Sequence, residues 1–173
     1  GYLDPAPDGI DAKYAWTFLG GDGEGQALID MEKGWTLNHQ DLAAHGAAVL
    51  HGSVLDSSRA HGTAVLGAIC ALANGVGCVG ITPNIKSVNV VSSNGSTRMN
   101  AILAAITTLH FGDTLLLEAQ IYVNAANLMG PIEVNDADYE VIRLATARTV
   151  VWVRRQLRRW TWMRIRHLAV SPC

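Results

Sequence analysis

Apolar and polar positions alternate along this chain in two rhythms, which predict strands and helices in turn. Residues 26–30, QALID, form a short apolar run closed by an acid, as a buried parallel strand does. Residues 37–46, LNHQDLAAHG, read as a turn and then a helical turn, and residues 47–54, AAVLHGSV, as a second strand. From Gly62 onward Val65, Leu66, Ile69, Leu72 and Ala73 recur at three and four, which is an amphipathic helix stopped by Asn74-Gly75. Residues 85–92 alternate and then run apolar, a strand. In residues 96–112, Ser96 or Thr97 caps a helix whose face is Ile102, Leu103, Ile106 and Leu109, with Gly112 at the stop. Residues 113–120, DTLLLEAQ, read as another buried strand. Residues 135–148 open on Asn135 or Asp136 as cap and present Tyr139, Ile142, Leu144 and Ala145 as a third helix. TVVWV, from residue 149, begins a further strand. The first 25 residues are rich in Gly, Pro and Asp and read as loop, a short helical piece at about 10–17, and a turn.

Strand and helix alternating through short connections predict right-handed crossovers. The expected fold class is therefore α/β, a mainly parallel sheet between layers of helix. Reactive groups in such sheets gather at the carboxyl ends of the strands, and Asp30 is placed at one.

Composition narrows the class. The chain has 173 residues, 49% of them hydrophobic and 16% charged, enough for one domain with a core and unlike a disordered chain. No apolar run approaches the roughly 20 residues of a membrane span. The chain opens on Gly1 without a charged-then-apolar leader, so it reads as a fragment or processed chain, and its compartment is not legible. Cys70, Cys78 and Cys173 form no disulfide framework; Cys70 and Cys78 are expected as buried free thiols. The net charge of −2 hides an asymmetry. All 15 acids lie in residues 1–149, for a charge of −8 there, while residues 150–173 hold six arginines and no acid.

The chemistry centres on "RAHGTAVLGAICALANGVGCVGITP". A histidine at a helix start can meet a strand-end carboxylate across the sheet edge. A carboxylate accepting one imidazole N–H fixes the tautomer and stabilises the imidazolium that forms in proton transfer. His61 is thus a candidate general base and Asp30 its candidate orienter. Read alone, HGT equally suits a core or capping histidine.

The longer pattern resembles the histidine segment of the subtilisin-like serine peptidases: His61-Gly62-Thr63, Val65-Leu66-Gly67, Asn74-Gly75 and Gly80-Ile81-Thr82-Pro83. The upstream segment resembles that family's aspartate segment at Asp30 and at His39-Gln40-Asp41-Leu42. The family's Asp-Thr-Gly is here Asp30-Met31-Glu32, with a glycine only at Gly34. The resemblance implies a subtilisin-like three-layer fold, here incomplete. It also implies hydrolysis of peptide bonds in polypeptide substrates through an acyl-enzyme, with Asp30 and His61 as two members of an Asp-His-Ser triad. Residues 113–120 resemble the family's substrate-lining strand, so that Leu117, Glu118, Ala119 and Gln120 would border the substrate pocket. Glu118 replaces an uncharged residue there and would favour basic substrates if it faced the pocket.

The resemblance covers about residues 20–150. No Gly-Thr-Ser nucleophile segment and no oxyanion asparagine segment occur, so the chain as given is expected to be an inactive, truncated serine endopeptidase (full-length members of the family are often secreted). Residues 1–149 read as a partial catalytic domain and residues 150–173 as an aberrant Arg- and Trp-rich tail. Trp160-Thr161-Trp162-Met163 is encoded TGG-ACN-TGG-ATG, which one base back gives an alternating apolar-Asp pattern; the tail is thus expected to arise by frameshift. The alternative function is a non-catalytic binding module whose basic tail contacts nucleic acid or an anionic membrane.

No cofactor and no metal site is expected. His39, His45 and His51 lie six apart, on no common face. The acids Glu133, Asp136 and Asp138 suit a helix start better than a calcium loop. Residues 21–25 are a turn and no phosphate loop.

Overall fold

The computed structural model describes residues 1–122 and 129–148 and the backbone of 151–154. The rest of the basic tail, residues 155–173 with Cys173, lies outside the described residues, and of the expected frameshift junction near 149–153 only the backbone of 151–153 is described. Among the described residues there are seven strands: β1 (Ala27–Glu32), β2 (Val49–His51), β3 (Ser87–Ser92), β4 (Thr114–Leu117), β5 (Gln120–Tyr122), β6 (Met129–Pro131) and β7 (Val151–Arg154). The α-helices are α1 (Ala12–Ala15), α2 (Arg59–Cys70), α3 (Arg98–Thr108) and α4 (Asp136–Ala147). The main sheet has the order β2-β3-β1-β4-β7, and every adjacent pair is parallel. β5 and β6 pair antiparallel beside it.

The predicted α/β architecture is therefore present, and the differences that bear on the site fall in β1, in α2 and at the end of β4. β1 continues two residues past Asp30, because Met31 still pairs with Val91 and Leu117 and Glu32 with Ser92. α2 begins at Arg59 and not at Gly62, so His61 lies inside its first turn. It ends at Cys70, short of Leu72 and Ala73. The DTLLLEAQ run divides after Leu117, and Gln120 opens β5.

Alternation along β1 sorts the core into two layers. Ile29 and Met31 face α3 and α4, packing with Ile102, Ile106, Val141 and Ile142. Leu28 faces the opposite layer with Trp35, Leu42, Leu66 and Cys70. By the same alternation Asp30 and Glu32 share Leu28's side, which is the side of α2. Both caps are explained by short polar residues. Thr97 accepts from Asn100 N at 3.1 Å, and Asn135, not Asp136, accepts from the Ala137 and Asp138 amides. Cys70 is buried as expected, but Cys78 is exposed. Its thiol donates to Asp41 Oδ2 at 3.4 Å.

Candidate functional site

The site lies at the carboxyl ends of β1, the middle strand of the sheet, and its neighbour β4. Met31 is in register with Leu117, so one further residue brings Glu32 and Glu118 side by side at the sheet edge. α2 arrives over this edge because two glycines let the backbones touch. A Cβ on Gly62 would lie 2.7 Å from Trp35 Cδ1 and 2.8 Å from its Nε1, and would strike the Gly34 carbonyl. That close approach needs residues without side chains. Thr63 fastens the junction by accepting from Thr36 N at 2.8 Å while donating to Arg59 O at 2.6 Å. Arg59 Nη1 donates to Trp35 O at 2.5 Å.

His61 is held out over this edge with its side chain half exposed. Its Nε2 lies 3.2 Å from Glu32 Oε1 and 3.8 Å from Glu118 Oε2. Glu32 is buried at the strand end, and Glu118 is partly covered. Asp30 is placed differently from the expectation. It is completely buried, and its Oδ2 accepts from Trp35 Nε1 at 2.7 Å. Among the described residues it forms no ion pair with His61, and its Oδ1 has no hydrogen-bond partner. The reason is the length of β1: the strand closes two residues later than QALID suggests, so the acid one pleat nearer the helix is Glu32. Burial pushes the Asp30 carboxyl up to about 7; the Trp35 bond acts against that rise and the charge of Glu118 adds to it.

Of the four residues expected to border a pocket, Leu117 is buried in the core and Ala119 packs against that core. Gln120 pairs with Pro131 in the small sheet. Glu118 turns toward the imidazole. The other histidines go to separate partners: His45 Nε2 to Cys70 O at 2.6 Å, His51 Nε2 to Ser96 Oγ at 2.7 Å, and His39 toward Asp41. Asp138 is engaged by Arg98 through Nε at 2.7 Å and Nη2 at 2.6 Å, in line with a structural helix-start role.

Two residues of this site escaped the sequence reading, Glu32 and Trp35. A signal for Glu32 was present. The family pattern places its glycine two residues after the orienting acid, and Gly34 stands two residues after Glu32, not after Asp30.

No protein-family profile matches the sequence. Among solved structures, the chain is similar to a cold-adapted subtilisin-like serine proteinase at TM-score 0.52 and 19% identity. That match covers 77% of this chain and 46% of the proteinase. It is also similar to the psychrophilic subtilisin-like protease Apa1 from the Antarctic psychrotroph Pseudoalteromonas sp. AS-11, at TM-score 0.46 and 19% identity, over 72% of this chain and 31% of that one. The chain thus spans less than half the length of either. Over the matched part, the parallel sheet and its flanking helices are the α/β fold of the subtilisin-like serine proteinases.

Proposed function

We propose that the chain carries the histidine half of a serine-endopeptidase site. His61 is the general base and Glu32 the carboxylate that orients it, in the place the sequence suggested for Asp30. The observation that carries this reading is the 3.2 Å approach of His61 Nε2 to Glu32 Oε1 at the end of a central parallel strand. The two atoms stand at ion-pair distance and share no hydrogen bond here; a hydrogen bond between them would place the proton on Nε2 and leave the Nδ1 lone pair to take a proton from a nucleophile. The usual triad holds Nδ1–H and uses Nε2, so the two nitrogens have exchanged roles. Asp30 is a support for Trp35 beneath the pair. Glu118, beside the ring, favours a substrate with a basic side chain. No Gly-Thr-Ser segment occurs in these 173 residues, so by themselves they hydrolyse no peptide bond.

The test joins residues 1–148 to the carboxy-terminal half of the cold-adapted subtilisin-like proteinase. A fusion that melts cooperatively should react with a serine-directed fluorophosphonate, and His61→Ala should abolish the reaction. A folded fusion that never reacts overturns the peptidase reading. Labelling of the unfused chain would overturn its inactivity. The ring ¹⁵N spectrum of the unfused chain tests Glu32 separately. The Nε2–H tautomer should dominate, persist in Asp30→Asn and be lost in Glu32→Leu, which leaves no acceptor; the reverse outcome returns the orienting role to Asp30.

A further inference from the structure

His61 has two carboxylates at one nitrogen, where orienting a base needs one. Glu32 Oε1, His61 Nε2 and Glu118 Oε2 all lie within 4.8 Å of one another. They come from three separate elements: the last residue of β1, the first turn of α2, and the residue after β4. We propose that these three atoms form a binding site for a borderline divalent transition-metal ion of the Zn²⁺ class.

Three physical arguments carry the assignment. The first is spacing. Tetrahedral ligands at Zn–N and Zn–O distances of about 2.0–2.2 Å stand about 3.3–3.6 Å from one another. The two distances from the imidazole, 3.2 and 3.8 Å, bracket that value. The second is charge. The sheet register forces Glu32 and Glu118 together at a largely buried edge, and like charges in such a place repel strongly. A dication bound between them would offset both charges at once. The third is donor type. One imidazole and two carboxylates suit Zn²⁺ and its neighbours in the first row. Ca²⁺ asks for six to eight oxygens, and the cluster offers two carboxylates. The half-exposed imidazole leaves an entry path and an open coordination position, the arrangement of three protein ligands plus an exchangeable one.

The metal site does not rest on the peptidase reading, but it uses the same His61 and Glu32, so its occupancy would exclude peptidase activity. A metal takes the Nε2 lone pair and displaces the proton that Glu32 would otherwise accept. The metal-bound neutral ring carries its one proton on Nδ1, the Nε2 proton having been exchanged through solvent, so Nδ1 can no longer act as base. The two states of His61 therefore carry opposite tautomers.

The experiment titrates the full 173-residue chain with Zn²⁺ by calorimetry and follows the ring ¹⁵N resonances of His61. A single saturable event is expected, with Nε2 losing its proton and Nδ1 gaining one. The melting temperature should rise with Zn²⁺. Glu118→Gln, at a partly covered side chain, and His61→Asn, at a half-exposed one, should each weaken binding by about tenfold or more, their folding checked by circular dichroism. Ca²⁺ should not compete. Absence of saturable binding overturns the proposal, as does binding unchanged in both variants or Zn²⁺ that leaves the His61 tautomer untouched. Binding with the expected tautomer change in a chain whose fusion never reacts with fluorophosphonate would retain the metal site and remove the peptidase reading.

Discussion

The indole N–H of Trp35 donates to Asp30 Oδ2 at 2.7 Å, one pleat below the edge where His61 meets Glu32. Asp30 has its partner inside the core, one pleat below the sheet edge, and Glu32 is left at the edge under the imidazole. Burying a carboxyl group without a donor is costly, so the bond matters to stability. Trp35→Phe should lower unfolding free energy in urea by about 2 kcal/mol, from the stranded acceptor. Asp30→Asn keeps an acceptor oxygen for the indole and should lose less than half as much. An unchanged midpoint in Trp35→Phe would show that the bond adds nothing.

The close contact between Gly62 and Trp35 sets the height of the histidine above the sheet. Gly62→Ala introduces a Cβ 2.7 Å from Trp35 Cδ1, in a place where the indole is pinned by Asp30 and by its own buried packing. Overpacking of this kind costs about 1–3 kcal/mol. The expected outcome is a lower melting temperature together with loss of the Nε2–H tautomer bias at His61, since α2 must lift away from Glu32. Loss of stability with the tautomer intact would show that the ring can follow the helix without leaving its partner.

The sheet was readable because apolar runs such as LLL at 115–117 and VNVV at 88–91 are long enough to be buried on both faces. Helices α3 and α4 were readable because Thr97 and Asn135 are short polar caps before periodic apolar faces. The site was only half readable. His61 announced itself by its segment, but its partner depended on where β1 ends. An acid at Asp30 and another at Glu32 lie on the same side of a strand, so periodicity cannot choose between them. Hydrogen bonding with β3 and β4 makes the choice, and those strands lie some sixty and ninety residues away in sequence. Glu118 was seen as a substrate-facing candidate, but its closeness to Glu32 follows from sheet register, which no local pattern encodes.

Asp41 gives a pH dependence with a definite sign. The Cys78 amide donates to its Oδ2 at 3.1 Å, which holds its carboxyl below the usual carboxylate range. An acid whose folded value is depressed contributes stability that is complete above the unfolded value, about 3.9, and is lost as pH falls through the folded value. The wild-type chain should therefore lose more stability between neutral and strongly acid pH than Asp41→Asn, in which this component is absent. Urea midpoints measured for both across that range check it. Parallel curves would show that Asp41 does not couple protonation to the loop that follows α2.

Arg98 and Asp138 tie the start of α3 to the start of α4. The guanidinium reaches Asp138 with two nitrogens, at 2.7 and 2.6 Å, and the carboxylate is almost wholly buried while the arginine is partly exposed. Such a pair is asymmetric in its consequences. Arg98→Met leaves a buried anion without a counter-charge and should cost about 3 kcal/mol, whereas replacing both members by apolar residues removes the anion as well and should cost less. Asp138 is also the third residue of α4, where a carboxylate already interacts favourably with the helix amides, so part of its charge remains compensated when the arginine is gone. Unfolding free energies of Arg98→Met, Asp138→Leu and the double variant close the cycle. A double variant less stable than Arg98→Met would mean that the pair itself, and not relief of a stranded charge, dominates the energetics at this junction.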